Sequence, residues 1–368
     1  MFVARAVSAT AQPVTFGVPF PRGRMRSGRP WALNFNGATL PVHARCLGTW
    51  GDGSVRWLLI EANCPALPTV GIHRGELVEI DEATSSEVST TFSPENSAAQ
   101  VGVRVDGLKL CVDKRTGAAE LRRAADDDRA VGRLELIFRD ARDRRRPIEV
   151  DHVETEVSGS QRATILVQGR VRGLPHLRIR WRWSLFAGLP FVRADVALHN
   201  TRAAKHRGGL WDLGDPGSCE FRELSWQVSQ YDSSCGTVSW KVAANAPPSE
   251  SQDGYVEIYQ DSSGGEHWNS RNHVNAAGRV PCRFRGFRTT TSSGRSMGLR
   301  ASPSVALGRG DGAIAAAVPE FWQQFPKLLR TTAGELQIGL FPREWDDVFE
   351  LQGGERKTHV VWLAVGKS

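Results

Sequence analysis

The sequence predicts an all-β protein, a small N-terminal barrel followed by a large antiparallel sandwich, and three observations carry that expectation. Short runs of β-branched and aromatic residues bounded by Gly, Pro, Asn or Asp recur along most of the chain. The stretch Leu177-Arg178-Ile179-Arg180-Trp181-Arg182-Trp183 alternates apolar and arginine residues with period two, the mark of a strand with one buried and one basic face. No long amphipathic helical pattern is present. A length of 368 residues suits two domains, placed at 1–90 and 91–368.

Within the first domain, strand-like runs begin at Val14, Trp31 and Leu40. They lead into Trp50-Gly-Asp52-Gly53-Ser-Val-Arg-Trp57, where the Asp-Gly pair predicts a hairpin with a type I′ turn. Residues 81–98, rich in Ser, Thr and Glu, have the composition of a connection. Ala118-Ala-Glu-Leu-Arg-Arg-Ala-Ala-Asp predicts one short helix. Beyond Trp183, Gly188 predicts a turn and the run to Asn200 a return strand, and such hairpins build sandwiches.

The net charge of +7 gives a field that attracts anions: nucleic acid, acidic lipid head groups or an acidic polysaccharide. Most arginines are interleaved with acids, as in Arg139 to Arg146, which reads as a solvated turn. Arg22, Arg24, Arg26 and Arg29 form the one patch without intervening acid, read as a basic surface loop. The six cysteines include no C-x-x-C pair, so no metal site built on sulfur is expected, and their even number permits disulfides. No apolar run is long enough for a secretory signal or a membrane span, so the expectation is a soluble chain of unknown compartment with no membrane partner. Twelve tryptophans beside 3 Tyr and 3 Met exceed what packing demands, and some indoles are expected to face a ligand.

The segment from Tyr259 to His273 is the most informative in the chain. It places Tyr259, His267, Trp268, Asn269, Arg271, Asn272 and His273 around Gly264-Gly265 with almost no aliphatic residue to bury. Proton donors and acceptors, a cation and a stacking face beside a flexible turn are the equipment of a polar ligand site. The plainer reading is a long loop whose histidines bond to backbone and whose Arg271 pairs with Glu266 or Asp261.

Trp211-Asp212-Leu-Gly-Asp215-Pro-Gly-Ser218 offers an indole to a sugar face and carboxylates to its hydroxyls. It could equally be a calcium loop completed by other oxygens, or a Pro-Gly turn capped by Asp215. In Glu350-Leu-Gln-Gly-Gly-Glu355-Arg-Lys357-Thr-His359, Lys357 and His359 share parity and so one strand face, compatible with lining a ligand or with a plain last hairpin. Arg309-Gly-Asp311 reads as a turn. Gly294-Arg-Ser296-Met-Gly298 matches a nucleophile elbow in letters only, being read as a Ser-Gly loop with no helix after it. Because Asp212, Asp215, Glu266 and Glu355 lie inside the candidate motifs, a nucleic-acid track is not expected.

Four segments together resemble the exo-acting rhamnogalacturonan lyases and their bacterial relatives. They are Val14-Thr-Phe-Gly-Val-Pro-Phe-Pro with Trp50 to Trp57; Gly208 to Ser218; Tyr259 to Arg285; and Phe321-Trp322-Gln-Gln-Phe325-Pro-Lys327 with Glu350 to His359. The resemblance implies a RIFT-like barrel, a central β-sandwich and, in longer relatives, a C-terminal (α/α) toroid that this sequence does not include. It implies an acidic polysaccharide or oligosaccharide as partner, and a separately encoded toroid subunit as a second. The implied reaction is β-elimination at galacturonate, which needs groups to neutralise the carboxylate, a base at C5 and an acid for the leaving oxygen. Arg271, Asn269 and Asn272 suit the first role, His273 or Tyr259 the others, with His267, Trp268, Trp211, Asp212, Lys357 and His359 as further sugar contacts. No organic cofactor is implied, and the alternative is a module that binds acidic glycan without cutting it.

Overall fold

The alternation at 177–183 is realised as the strand Leu174–Phe186, in which Leu177, Ile179, Trp181 and Trp183 are buried. In the computed structural model, which describes residues 2–4, 10–26, 28, 30–67, 69–80, 92–123, 128–205, 213–231 and 236–366, this strand pairs antiparallel with Phe191–Asn200 through a turn at Gly188. The opposite face is less basic than the sequence suggests. Arg178 bonds to Asp151 and Arg182 to Glu156, both on the strand Ile148–Ser158, so this face is laced by ion pairs.

Two large antiparallel sheets stack face to face. One has nine strands and runs from Ile148–Ser158 at one edge, through Leu174–Phe186, Phe191–Asn200 and Arg356–Val365, to Val238–Lys241 and Ser249–Ser251 at the other. Its thirteen-stranded partner runs from Gly294–Gly298 and Phe287–Thr291, through Val256–Gln260, Lys327–Thr332 and Cys219–Gln230, to Ser93–Asn96. A single apolar cluster fills the space between them, drawing alternate residues from both. Trp183 and Trp226 meet there at 4.8 Å and Trp181 and Trp226 at 6.4 Å, so three of the tryptophans are core rather than ligand contacts.

The N-terminal strands form a separate five-stranded sheet, ordered Gln12–Pro19, Val55–Cys64, Ala38–Thr49, Trp31–Phe35, Gly75–Glu79, with its own small apolar clusters. Among the described residues there is no α-helix, and the all-β expectation holds. Among the described residues no helix is long and apolar enough to cross a membrane.

Four local expectations are corrected. The hairpin at Asp52-Gly53 bonds Gly53 N–H to Trp50 C=O, with only Gly53 at positive φ, so it is a three-residue loop ending in a left-handed glycine rather than type I′. The alanine-rich segment predicted as a helix contains the strand Ala119–Arg123, held between Leu108–Asp113 and Ala130–Asp140; pairing on both sides overrides alanine's helical preference. Ser93–Asn96, inside the expected connection, is an edge strand, and 81–91 lie outside the described residues. Gly294–Gly298 is also an edge strand, not a loop.

Candidate functional site

Lys327 opens the strand Lys327–Thr332, and Leu329, two residues on, belongs to the inter-sheet core. By that parity the Lys327 side chain enters the gap between the sheets, where it is 1% exposed. The opposite sheet supplies Arg356–Val365, in which His359, Val361 and Leu363 are buried in alternation and Lys357 sits exposed two residues before His359. The expected shared face is therefore present. Lys327, Lys357 and His359 line one cavity of about 410 Å³ with Gln324, Phe325, Phe341 and Phe349, and no carboxylate lines it.

The ammonium of Lys327 donates to the carbonyls of Pro326 at 3.3 Å, Leu340 at 2.9 Å and Gln324, and it lies 5.7 Å from the Phe341 ring. Burial, with Lys357 adding repulsion, pulls its pKa down to about 7. His359 Nδ1 lies 2.6 Å from Gln324 Oε1, and because an amide oxygen can only accept, Nδ1 carries the proton. Nε2 is left as an enclosed lone pair with no partner among the described residues. Burial, then Lys327 and Lys357, hold His359 well below the usual imidazole range, so it is neutral at pH 7. Lys357 meets Glu355 at 2.7 Å, leaving the cavity floor with amine and imidazole and no anion. Such a floor accepts an anionic group and offers bases to a proton beside it.

The polar segment is only partly drawn to this cavity. His273 closes a 3₁₀ turn, Arg271–His273, and its ring packs 5.6 Å from Phe325 on the cavity wall. Arg271, His267 and Asn269 are exposed and Trp268 half-buried. Arg271 forms no ion pair with a described residue, so the structural pairing weighed for it is not present. Asn272 lies in the same turn, its side chain outside the described residues.

Tyr259 requires a correction. It pairs in register with Leu328, whose side chain points away from the gap that Lys327 enters, and it is fully buried on the outer face beneath Phe284 at 6.0 Å and Arg283 at 5.7 Å. Burial, then Asp261, pushes its hydroxyl above the ordinary phenol range. An enclosed phenol on the far face of the sheet is not the base for a sugar in this cavity.

Trp211 and Asp212 lie outside the described residues. Asp215 is a cap, as its plain reading held: its carboxylate accepts from Gly217 N–H at 2.7 Å and Lys205 N–H at 2.9 Å. Glu350 accepts from Gly214 N–H at 2.8 Å and Ser218 Oγ at 2.6 Å, which ties this loop to the last hairpin. Among the described residues no group of three or more His, Cys, Asp or Glu side chains could hold a metal ion, and Asp215 is already engaged by N–H donors rather than open to calcium. Cys46, Cys64, Cys111, Cys219 and Cys282 are free thiols, and Cys235 is outside the described residues. The basic loop at Arg22 is exposed, with Arg22 bonded to Asp52.

Residue-level reasoning assigned no role to Lys327, Gln324 or Phe325. The available signal was a lysine set inside Phe325-Pro326-Lys327-Leu328-Leu329, a run apolar enough to be buried.

No curated protein matches the sequence. The solved structures to which it is similar are distant. A protein in glycosyl hydrolase family 38 from Enterococcus faecalis matches over 99% of this chain and 44% of its own, at 6% identity and a TM-score of 0.48. An α-mannosidase from Enterococcus faecalis V583 matches over 99% and 42%, at 7% identity and 0.44. A galactose mutarotase-like protein from Lactobacillus casei matches over 74% and 99%, at 11% identity and 0.38. This chain thus spans under half the length of the first two. The expectation of a RIFT-like barrel at the N-terminus is met, since residues 2–66 match the family described as the PcRGLX-like N-terminal RIFT barrel domain.

Proposed function

We propose that this is a carbohydrate-active protein that receives an acidic, uronate-containing glycan in the cavity between the two sheets and cleaves it by β-elimination. The observation that carries the reading is a buried amine, Lys327, with only carbonyls around it, sharing a carboxylate-free cavity with Lys357 and His359. A buried cation without a counter-ion is costly, and a uronate carboxylate supplies the missing charge. The match of residues 2–66 supports the same direction.

Neutralising that carboxylate makes the C5 proton removable. His359, held neutral, or His273, which packs on Phe325 of the lining, takes the proton; the C5–H electron pair forms the C4=C5 bond, the bond from C4 to its oxygen breaks, and the leaving oxygen takes a proton from the second group or from water. Arg271, Asn269, Asn272, His267 and Trp268 are proposed as outer contacts for the rest of the chain.

A second reading, binding without cleavage or cleavage only with a separately encoded toroid subunit, is favoured by one observation. Lys327 Nζ and His359 Nε2 are both enclosed, so the charge is felt at the mouth while the reacting groups lie below it.

The test is incubation with rhamnogalacturonan and polygalacturonate, read by ultraviolet absorbance of unsaturated ends and by retention on the immobilised polymers. Absorbance that falls about 10²–10⁴-fold in the His359→Ala variant supports the lyase reading. Retention without absorbance, weakened in Lys357→Gln, supports the binding reading. Neither signal with either polymer sinks both.

A further inference from the structure

At the lateral edge of the sandwich the last strands of the two sheets stand apart and enclose a slot of about 430 Å³. Trp240 lines it from the nine-stranded sheet, with Ser249 on the edge strand Ser249–Ser251. Thr289 and Thr291 line it from the facing strand Phe287–Thr291, with Arg295 and Ser296 on the edge strand Gly294–Gly298. No carboxylate lines the slot, and its single cation, Arg295, is exposed at the rim.

Two features separate this slot from an ordinary gap between sheet edges. The half-buried Trp240 both packs against the core and lines the slot. Thr289 is 5% exposed, yet its Oγ1 is enclosed and has no hydrogen-bond partner among the described residues. A buried hydroxyl left unpaired costs stability, and a strand position between sheets is readily filled by valine. Thr289 also lines the slot, so a small shift of the atoms covering Oγ1 lets a bound hydroxyl complete it.

We propose that the slot is a second saccharide site, specific for a neutral hexopyranose of a glycan chain. A pyranose has one face of C–H groups that stacks on an indole and a rim of hydroxyls that both donate and accept. The slot answers with Trp240 for the face and with hydroxyls of Thr289, Ser249 and Ser296 for the rim. A sugar acid fits less well, because the only cation is at the solvent edge and no buried donor cluster awaits a carboxylate. The site does not depend on the Lys327 cavity, and it stands whether or not that cavity takes a uronide.

The test uses isothermal titration calorimetry of the whole chain with two probes, β-1,4-galactotetraose and cellotetraose. At least one binds the unmodified protein, and Trp240→Ala weakens it by about tenfold or more. The decisive variant is Thr289→Val, which removes the unpartnered hydroxyl at nearly constant shape: Tm rises while tetraose binding falls severalfold. A purely structural threonine gives no loss of binding. The proposal is overturned if neither tetraose binds, or if Thr289→Val binds like the unmodified protein whatever its Tm. Retention of either variant on acidic polymer, measured alongside, reports the Lys327 cavity separately.

Discussion

Lys327 is a charge placed where the fold offers it carbonyl oxygens and no anion, and that placement sets a pH dependence. Its pKa is pulled down to about 7 by burial and by Lys357, against an ordinary value of 10.5 once unfolded. Between those two values the unfolded chain holds a proton that the folded chain has released, so folding stability rises with pH across that window. Below about pH 7 both states are protonated and the full penalty is present. Lys327→Met is therefore expected to be more stable than the unmodified protein at pH 6, by a few kcal/mol at the order-of-magnitude level. Urea denaturation at pH 6 and pH 9 checks this: the unmodified protein gains stability between the two and the variant loses that gain, whereas parallel behaviour refutes the desolvated lysine. At this scale the sequence was legible in part. The shared parity of Lys357 and His359 put both on one strand face, because parity is a local property of a strand, and it did not show that this face borders a cavity. That Lys327, some thirty positions earlier, faces them across the gap depends on sheet stacking, which no local pattern encodes. The burial of Tyr259 was hidden for the same reason: a tyrosine leading into the polar run Gln260-Asp261-Ser262-Ser263 looks available until a loop bearing Phe284 closes over it.

Among the elements, the segment after Gln260 is held by its start. Asp261 accepts the N–H groups of Arg283 and Phe284, the latter at 3.0 Å, and Ser262 Oγ accepts from Gly286 N–H at 2.8 Å, so the long loop is pinned where it leaves and where it returns. Gly264, at φ +70°, lies so close to the Leu299 carbonyl that a Cβ added there would stand 2.0 Å from the oxygen. Gly264→Ala must both adopt left-handed backbone and displace main chain, and is expected to cost on the order of 2–4 kcal/mol. Gly278→Ala shares the left-handed backbone but meets nothing within 4 Å, and should cost only about 1 kcal/mol. Thermal denaturation of the two variants checks the difference; equal losses would mean that the Leu299 contact does not constrain the loop. The sequence marked Gly264-Gly265 as a point of backbone freedom, which Gly264 uses at positive φ although the turn itself falls at 266–269, and it showed the hairpin from Leu174 to Asn200 almost to the residue, since both signals are short-range. It misplaced Ala119–Arg123 because alanine content argues locally for helix while two flanking strands argue non-locally for sheet, and the second wins.

Across the whole molecule, the N-terminal sheet and the sandwich meet through a few polar contacts. Glu61, on Val55–Cys64, bonds to Arg162 on Arg162–Val171 and lies 3.3 Å from His43 Nδ1, while Asn63 donates to the Ala187 carbonyl at 2.6 Å. Desolvation would raise the Glu61 pKa, but bonds and charges from His43 and Arg162 outweigh it and the net shift is downward. The stabilisation is thus present above the ordinary carboxylate value of 4.5 and is lost as pH falls through the lower folded value. With the boundary near residue 90 taken as a proposal, Arg162→Ala is expected to split thermal unfolding into two calorimetric transitions at pH 7, and the unmodified protein should approach that behaviour only in acid. A single unchanged transition in the variant would show that the join lies elsewhere. The layer count was legible because the turn-and-strand rhythm runs through the chain, but the partnership of edges that makes the cavity and the slot was not. Trp181, Trp183 and Trp226 meet in the dry space between the sheets with indole N–H groups that find no acceptor among the described residues. Blue-shifted emission and coupled near-ultraviolet dichroism are expected of these three indoles, so the molecule carries its own optical gauge of whether the two layers are closed.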